Sequence, residues 1–411
     1  MNHYANILKD NLPRLLSQFD LDAESETFGF GDRTYWGWKV SDFANATPQA
    51  GVHSLATAIS LNLCEEKLGL FVIDAAINAL PKISSKKGSL QEAYPNEHSF
   101  CVTALVAFDV LMAIHRLESR LSQEKKKQYL NIVEPFVRFI CENGEEHAII
   151  SNHLATGVAA IVYWNHFTGE NLDRHETLLE IIYKNQSSEG WHREYEGAAP
   201  GYATLCLYYL SAAHEICLNA DLFESIKSAT SFLEYFVHPD HTIGGLYGSR
   251  NTEVYYPGGM VYVGNLEFDF QKTCTALSNG AHVLPSQIDM GNFVPLLNAY
   301  AFAAFYSKES SDSRLENQQL IYQKGFEKSF DDAGIFIKST SSYYAIVNFK
   351  KGGTIKVFDK KKSALDLEDG GLVGSLNSGL KFSTQVFQSD LNFENHSLNS
   401  SFFQINKQSP T

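Results

Sequence analysis

The chain has 411 residues, 44% of them apolar and 13% aromatic, which is enough to bury a large core and excludes a disordered protein. Its 33 Lys and Arg against 47 Asp and Glu give a formal charge of -14, which argues against a broad nucleic-acid-binding surface yet leaves room for a local basic cleft. No run approaches 18 apolar residues, and Met1-Asn2-His3-Tyr4 is not a basic-then-apolar leader, so the sequence predicts no signal peptide and no membrane span. The expected location is cytoplasmic, or periplasmic or cell-surface by another export route.

In chain order, Thr27 to Lys39 comes first, dense in aromatics: Phe28, Phe30, Tyr35, Trp36 and Trp38. The favoured reading is aromatic anchors tying an N-terminal segment down, with Asp32 and Arg33 hydrogen-bonded. Stacking on a sugar is the other reading. From there to about residue 306, apolar residues recur at helical spacing. Very apolar helices are predicted to start near Glu97-His98, near Ser151-Asn152 and at Pro200-Gly201, about fifty residues apart. Amphipathic helices are predicted between them, from near Glu124, Asn171 and Asp221. Such pairs must stack to bury their faces, as an open solenoid or a closed α/α toroid. In a toroid the inner helices run the same way, so polar groups at their starts converge on one cleft, with N-terminal N–H groups that favour an anion. The six cysteines lack metal-site spacing and mostly fall in apolar helical runs, so free buried thiols and no metal are expected.

Asn152 and His153 open one of the most apolar helices. A Ser or Asn here is ordinary capping chemistry. The functional alternative is an amide for a carboxylate beside a base titrating near neutrality. Tyr202 stands at the next predicted inner-helix start, after Pro200-Gly201, where a phenol can exchange a proton. His98, the run Trp191-His192-Arg193, and Arg250-Asn251 in a Gly- and Tyr-rich loop are candidate substrate-binding residues, with Arg250 suited to a carboxylate. The chain shows no phosphate-binding loop, no H-E-x-x-H and no convincing nucleophile elbow, so nucleotide hydrolysis, zinc proteolysis and serine hydrolysis are unsupported.

From about residue 333 the pattern changes to alternation. Tyr343 to Phe349, a Lys350-Lys351-Gly352-Gly353 turn and Thr354 to Phe358 read as a β-hairpin. Gly371 to Gly374 and Lys381 to Phe387 read as further strands. An exposed edge strand or apolar patch is expected near the C-terminus.

The segment Thr27 to Lys39, the start Ser151-Asn152-His153, and the stretch from Glu189-Gly190-Trp191 to Pro200-Gly201-Tyr202 resemble the heparinase II/III-like family, in particular members encoded with bacterial surface-polysaccharide biosynthesis genes. The resemblance covers nearly the whole chain. It implies an α/α toroid followed by an antiparallel β-sandwich, and cleavage of uronic-acid polysaccharides by β-elimination. Asn152 then matches the carboxylate-neutralising Asn, and His153 and Tyr202 the proton-transfer pair. The family's further histidine has no secure match; His241 corresponds only by position and stays outside the catalytic set.

The resulting expectation is a mainly α protein: a toroid at 1–306, a connection at 307–332, and a truncated β-sandwich at 333–411. It acts on an acidic polysaccharide or oligosaccharide, without cofactor, metal, nucleic acid or membrane span. A non-catalytic glycan-binding protein and a glycoside hydrolase are the alternatives. The hydrolase needs two carboxylates across the cleft, drawn from Glu97, Glu194 and Glu196.

Overall fold

The computed structural model describes residues 2–146, 148–307, 315, 317–387, 393–394, 397–398 and 403–405. Its helices are α1 His3–Leu16, α2 Arg33–Trp36, α3 Val52–Ser60, α4 Glu66–Ile83, α5 Phe100–Arg116, α6 Gln123–Glu142, α7 Ser151–Thr168, α8 Arg174–Lys184, α9 Pro200–Cys217, α10 Ala220–Glu234, α11 Pro257–Leu266, α12 Phe268–Ser278 and α13 Met290–Tyr306. Helices α3, α5, α7, α9, α11 and α13 each pack on the next, and α13 returns to α3, closing a ring. Around it, α4, α6, α8, α10 and α12 each cover the inner helix they follow, and α1 covers α13.

Composition assigns each helix its layer. Nearly every residue of α5 and α9 is buried, because each has neighbours on most sides. In α6 a single stripe, Tyr129, Val133, Phe136, Val137 and Ile140, turns inward while the rest stays wet. The α9–α11 contact needs a glycine: a Cβ at Gly259 would lie 2.5 Å from the Leu207 carbonyl carbon. All six cysteines are free; Cys206 and Cys274 are buried, whereas Cys217 ends α9 and is exposed.

The β part starts earlier than expected. Strands β1 Phe326–Phe330, β2 Ile335–Ser339, β3 Tyr343–Asn348, β4 Thr354–Asp359 and β5 Ala364–Asp369 form an antiparallel meander. Strand β1 falls within the segment read as a connection, because only Phe330 among its residues is buried and edge strands carry no alternation signal. The hairpin predicted around Lys350 to Gly353 is β3–β4. Strands β6 Val373–Ser375 and β7 Lys381–Ser383, with Phe403–Ile405, make a smaller sheet.

One face of the meander packs directly on the toroid. Phe330 meets Phe232, Tyr235 and Phe236 edge-on or tilted, Phe358 stacks on His238, and the Tyr344 hydroxyl donates to the Tyr235 carbonyl. Strand β5 is an exposed edge carrying Leu365 and Leu367, and Leu372, Val373 and Leu376 beyond it are also exposed. The exposed edge strand expected near the C-terminus is thus present among the described residues.

Candidate functional site

Inner helices α7, α9 and α11 begin at one end of the ring, and none has a side-chain N-cap: their capping residues are Ile150, Ala199 and Tyr256. Their first N–H groups need partners from elsewhere. The loop between α8 and α9 supplies them for α7. Ser151 N–H donates to the Arg193 carbonyl at 3.1 Å. Asn152 donates twice to Glu194, from its backbone N–H to Oε1 at 3.0 Å and from Nδ2 to Oε2 at 2.7 Å. The ordinary cap considered for Ser151 or Asn152 is thus replaced by a carboxylate 42 residues away. Burial raises Glu194 from its ordinary 4.5 to about 8, against the pull of the two Asn152 hydrogen bonds.

His153, one residue on, is partly exposed and places Nδ1 2.6 Å from Glu145 Oε2. A carboxylate accepts, so this contact puts a proton on Nδ1 and leaves Nε2 as the ring nitrogen not engaged with Glu145. Tyr202 lies within electrostatic reach of both Glu194 and Arg250; burial raises its phenol, and Arg250 draws it back. Among the described residues its hydroxyl has no hydrogen-bond partner. Asn152 and Tyr202 therefore share one end of the ring and one neighbour, Glu194.

The Arg250 loop is pressed onto the start of α9. A Cβ on Gly201 would come 2.5 Å from the Thr252 carbonyl oxygen, so only glycine beside Tyr202 admits this approach. Ser249 bonds the Ala198 carbonyl through N–H and the Glu194 carbonyl through Oγ, both at 2.7 Å. From the sheet, Lys351 Nζ reaches the carbonyls of Leu246 at 3.0 Å and Gly248 at 2.7 Å, and Asn251 Oδ1 at 2.7 Å. Burial lowers Lys351 to about 8, with Glu196 opposing and Arg250 assisting. The Arg250 guanidinium stands 4.3 Å over the Tyr195 ring and has no carboxylate partner among the described residues. Tyr195 itself holds φ at 60°, a left-handed conformation that costs a bulky residue about 1–3 kcal/mol and tends to sit at functional sites.

Several candidates read from the sequence are placed elsewhere. Trp191 is 7% exposed and donates Nε1–H to Glu189, whose carboxylate also accepts from Asp332 and Ala333 N–H; it ties the loop to the sheet. His192 is fully buried against Ser225 Oγ, and burial lowers it to about 4. Neither side chain faces a cleft, because the loop turns its apolar side onto α10. His98 is exposed but bonded to Ser89 Oγ. Arg193 is exposed and donates to the Tyr195 carbonyl. Asn251 is held by Lys351, and His241 bonds Tyr322.

Of the hydrolase candidates, Glu194 is buried, and Glu97 accepts the N–H groups of Glu92 and Ala93. Glu92 was missed. It is partly exposed, senses His153, Glu97 and Glu145, and is raised chiefly by burial. Glu145 and Lys351 were missed too: Glu145 lies in no motif, and Lys351 reads from the sequence only as part of a hairpin turn. Burial shifts Glu194 and Glu92 toward their neutral forms, while Arg250 and Lys351 are positive groups of this end of the ring.

No protein-family model matches the chain, and no curated protein matches it. Solved structures do. A xanthan lyase from Paenibacillus aligns with a TM-score of 0.54 at 7% identity, over 92% of this chain and 42% of that one. Chondroitin AC lyase from Streptomyces coelicolor A3, in complex with chondroitin sulphate, aligns at 0.53 and 9% identity, over 87% of this chain and 54% of that one. Cellobiose 2-epimerase from Bacillus thermoamylovorans B4167 aligns at 0.52 and 10% identity, over 74% of this chain and all of that one. The chain thus spans about half the length of the lyases or less. Identities this low speak for fold alone, and fold does not choose a reaction. The chain has the α/α toroid of these polysaccharide lyases, with a β domain following it, and the toroid is one that an epimerase also uses.

Proposed function

We propose that this protein is a polysaccharide lyase that cleaves a uronic-acid-containing glycan by β-elimination, as the resemblance to the heparinase II/III-like family implies. The observation that carries the reading is one arrangement: a carboxylate-oriented imidazole, His153, and the phenol of Tyr202 at the starts of neighbouring inner helices, with the Arg250 guanidinium, which has no carboxylate partner among the described residues, within electrostatic reach of Tyr202. The lyases of the same fold support it.

In this reading His153 Nε2 takes the C5 proton of the uronate. The electron pair left on C5 forms the C4–C5 double bond as the C4–O4 bond breaks. Tyr202, whose phenol burial pushes above its ordinary value, gives its proton to the departing oxygen. Arg250 and the open N-terminus of α9 stabilise the charge that builds on the substrate carboxylate. Asn152 acts from behind: its amide is committed to Glu194, so it fixes the start of α7 and the position of His153. Arg193 and Asn251 belong to the rim that meets the chain of sugars.

Ultraviolet absorbance of the unsaturated product, followed with xanthan, heparan and chondroitin, tests the reaction. Reducing ends without that absorbance would instead favour a hydrolase with Glu92 as its acid, a reading supported by its partial exposure and by the burial that raises its pKa. Binding without either product would favour the glycan-binding alternative.

A further inference from the structure

The aromatic segment near the N-terminus divides in two. Phe30 stacks on Tyr35 at 6.0 Å, and Trp36 Nε1–H donates to the Gln18 carbonyl at 2.8 Å. These rings are the anchors the sequence implied. Trp38 is not one: it is 64% exposed. It borders a cavity of about 360 Å³ between the end of α1, the residues ahead of α3 and the start of α13. That volume is at the small end of ligand sites and suits a single sugar unit.

The cavity is lined by polar groups as well as by the indole. Thr47 is 2% exposed, and its hydroxyl has no hydrogen-bond partner although it lines this cavity. A buried hydroxyl left unpaired is costly, and a ligand hydroxyl would satisfy it. Asn45 and Arg33 also line it. The Arg33 guanidinium spends one N–H on the Ser17 carbonyl at 3.1 Å, and its other N–H groups have no hydrogen-bond partner among the described residues. The Asp32 carboxylate is already occupied, accepting from Thr34, Tyr35 and Asn45. The wall therefore offers unspent donors beside an aromatic face.

Its position in the ring gives it a role. In the order α3, α5, α7, α9, α11, α13, α13 is opposite α7 and α3 is opposite α9. The cavity adjoins the starts of α13 and α3, so it lies on the same end of the toroid as His153 and Tyr202 but across the opening, about 20 Å away for helices packed ~10 Å apart. The rim between is continuous: Ala46 N–H bonds the Gln91 carbonyl at 2.9 Å, and the next residue, Glu92, senses His153.

We propose that this cavity is a distal subsite for one acidic pyranose unit of a glycan chain lying across the toroid, with Trp38 against the sugar face, Thr47 and Asn45 on its hydroxyls and Arg33 on its carboxylate. The subsite rests on the glycan-acting reading above. Its test is calorimetric titration of a chondroitin tetrasaccharide, and of neutral cellotetraose, into the full chain carrying Tyr202→Phe, alone and combined with Trp38→Ala. Trp38 is exposed, so its removal leaves the fold intact. The expected result is binding of the chondroitin probe that Trp38→Ala weakens at least tenfold, and that Arg33→Gln weakens with it. Equal affinity for cellotetraose, no affinity for either probe, or an affinity unchanged by Trp38→Ala overturns the subsite. Because binding is read without turnover, failure of the lyase chemistry shows separately, as absence of unsaturated product from the unsubstituted protein. If that protein does cleave a polymer, Trp38→Ala is expected to raise KM several-fold with kcat unchanged.

Discussion

Replacing Glu194 by glutamine probes the contact that organises the site. The carboxyl is fully buried and titrates near 8 instead of 4.5. Between those values the folded protein holds a proton that the unfolded chain has released, so stability falls as pH rises through the interval. Buried histidines act oppositely. His192 and His282 are lowered from 6.5 to about 4, so they add stability as pH rises from 4 to 6.5 and nothing beyond. Lys351, lowered to about 8, adds stability only above that value. Asp109, which burial also raises well above its ordinary value, shares the window from pH 6.5 to 8, so it is the difference between the wild type and Glu194→Gln that isolates Glu194. Linkage gives ~1.4 kcal/mol per pH unit, hence a loss of ~2 kcal/mol across the window. Glutamine cannot ionise, but its NH₂ must face one of the two Asn152 donors, at a cost of about 1–3 kcal/mol at every pH. Denaturant titrations of both proteins should show the wild type losing ~2 kcal/mol relative to Glu194→Gln between pH 6.5 and 8. A difference that stays constant across this window would refute the protonated state of Glu194.

Tyr202→Phe keeps the ring but removes the proton donor, and single-turnover rates should fall ~10²–10⁴-fold with substrate affinity nearly unchanged; wild-type turnover would rule out this role. Asn152→Ala leaves Glu194 with one donor fewer and should destabilise the fold by about 1–3 kcal/mol in addition to slowing catalysis, as paired unfolding and rate measurements can separate. Lys351→Met strips the donor from two carbonyls and Asn251, so the Arg250 loop should loosen; we expect KM to rise several-fold and proteolysis to increase between Gly244 and Thr252. Arg250→Lys keeps the charge but loses the planar fork, and should raise KM for an acidic polymer; an unchanged KM would remove Arg250 from substrate binding. Leu365→Lys with Leu367→Lys, on the exposed edge strand, should reduce self-association seen by light scattering without altering the melting temperature.

What the sequence determined by itself was local or periodic. The alternation of very apolar and amphipathic helices is written in the apolar spacing, because inner helices have neighbours on most sides and outer helices have one. Pro200 marks the start of α9 because its missing N–H is harmless at the first helical position. The β3–β4 hairpin is legible because strands buried on one face alternate and Gly352-Gly353 supply the turn. Asn152, His153 and Tyr202 could be singled out because they stand at helix starts that a ring gathers at one end.

Only the tertiary structure decided what those residues do for one another. Asn152 is engaged by Glu194 because α7 lacks its own cap, and that pairing spans 42 residues. Trp191 and His192 look like cleft residues in a Gly-Trp loop, yet the loop packs them inward, and nothing in the local pattern separates an inward from an outward face. Lys351 holds a loop about 100 residues away, and Glu92 comes near His153 only when the ring closes, whereas Glu145 reaches it from eight residues back in the loop ahead of α7. Such contacts leave no periodicity in the chain, because they are set by which helix ends the closed toroid brings side by side.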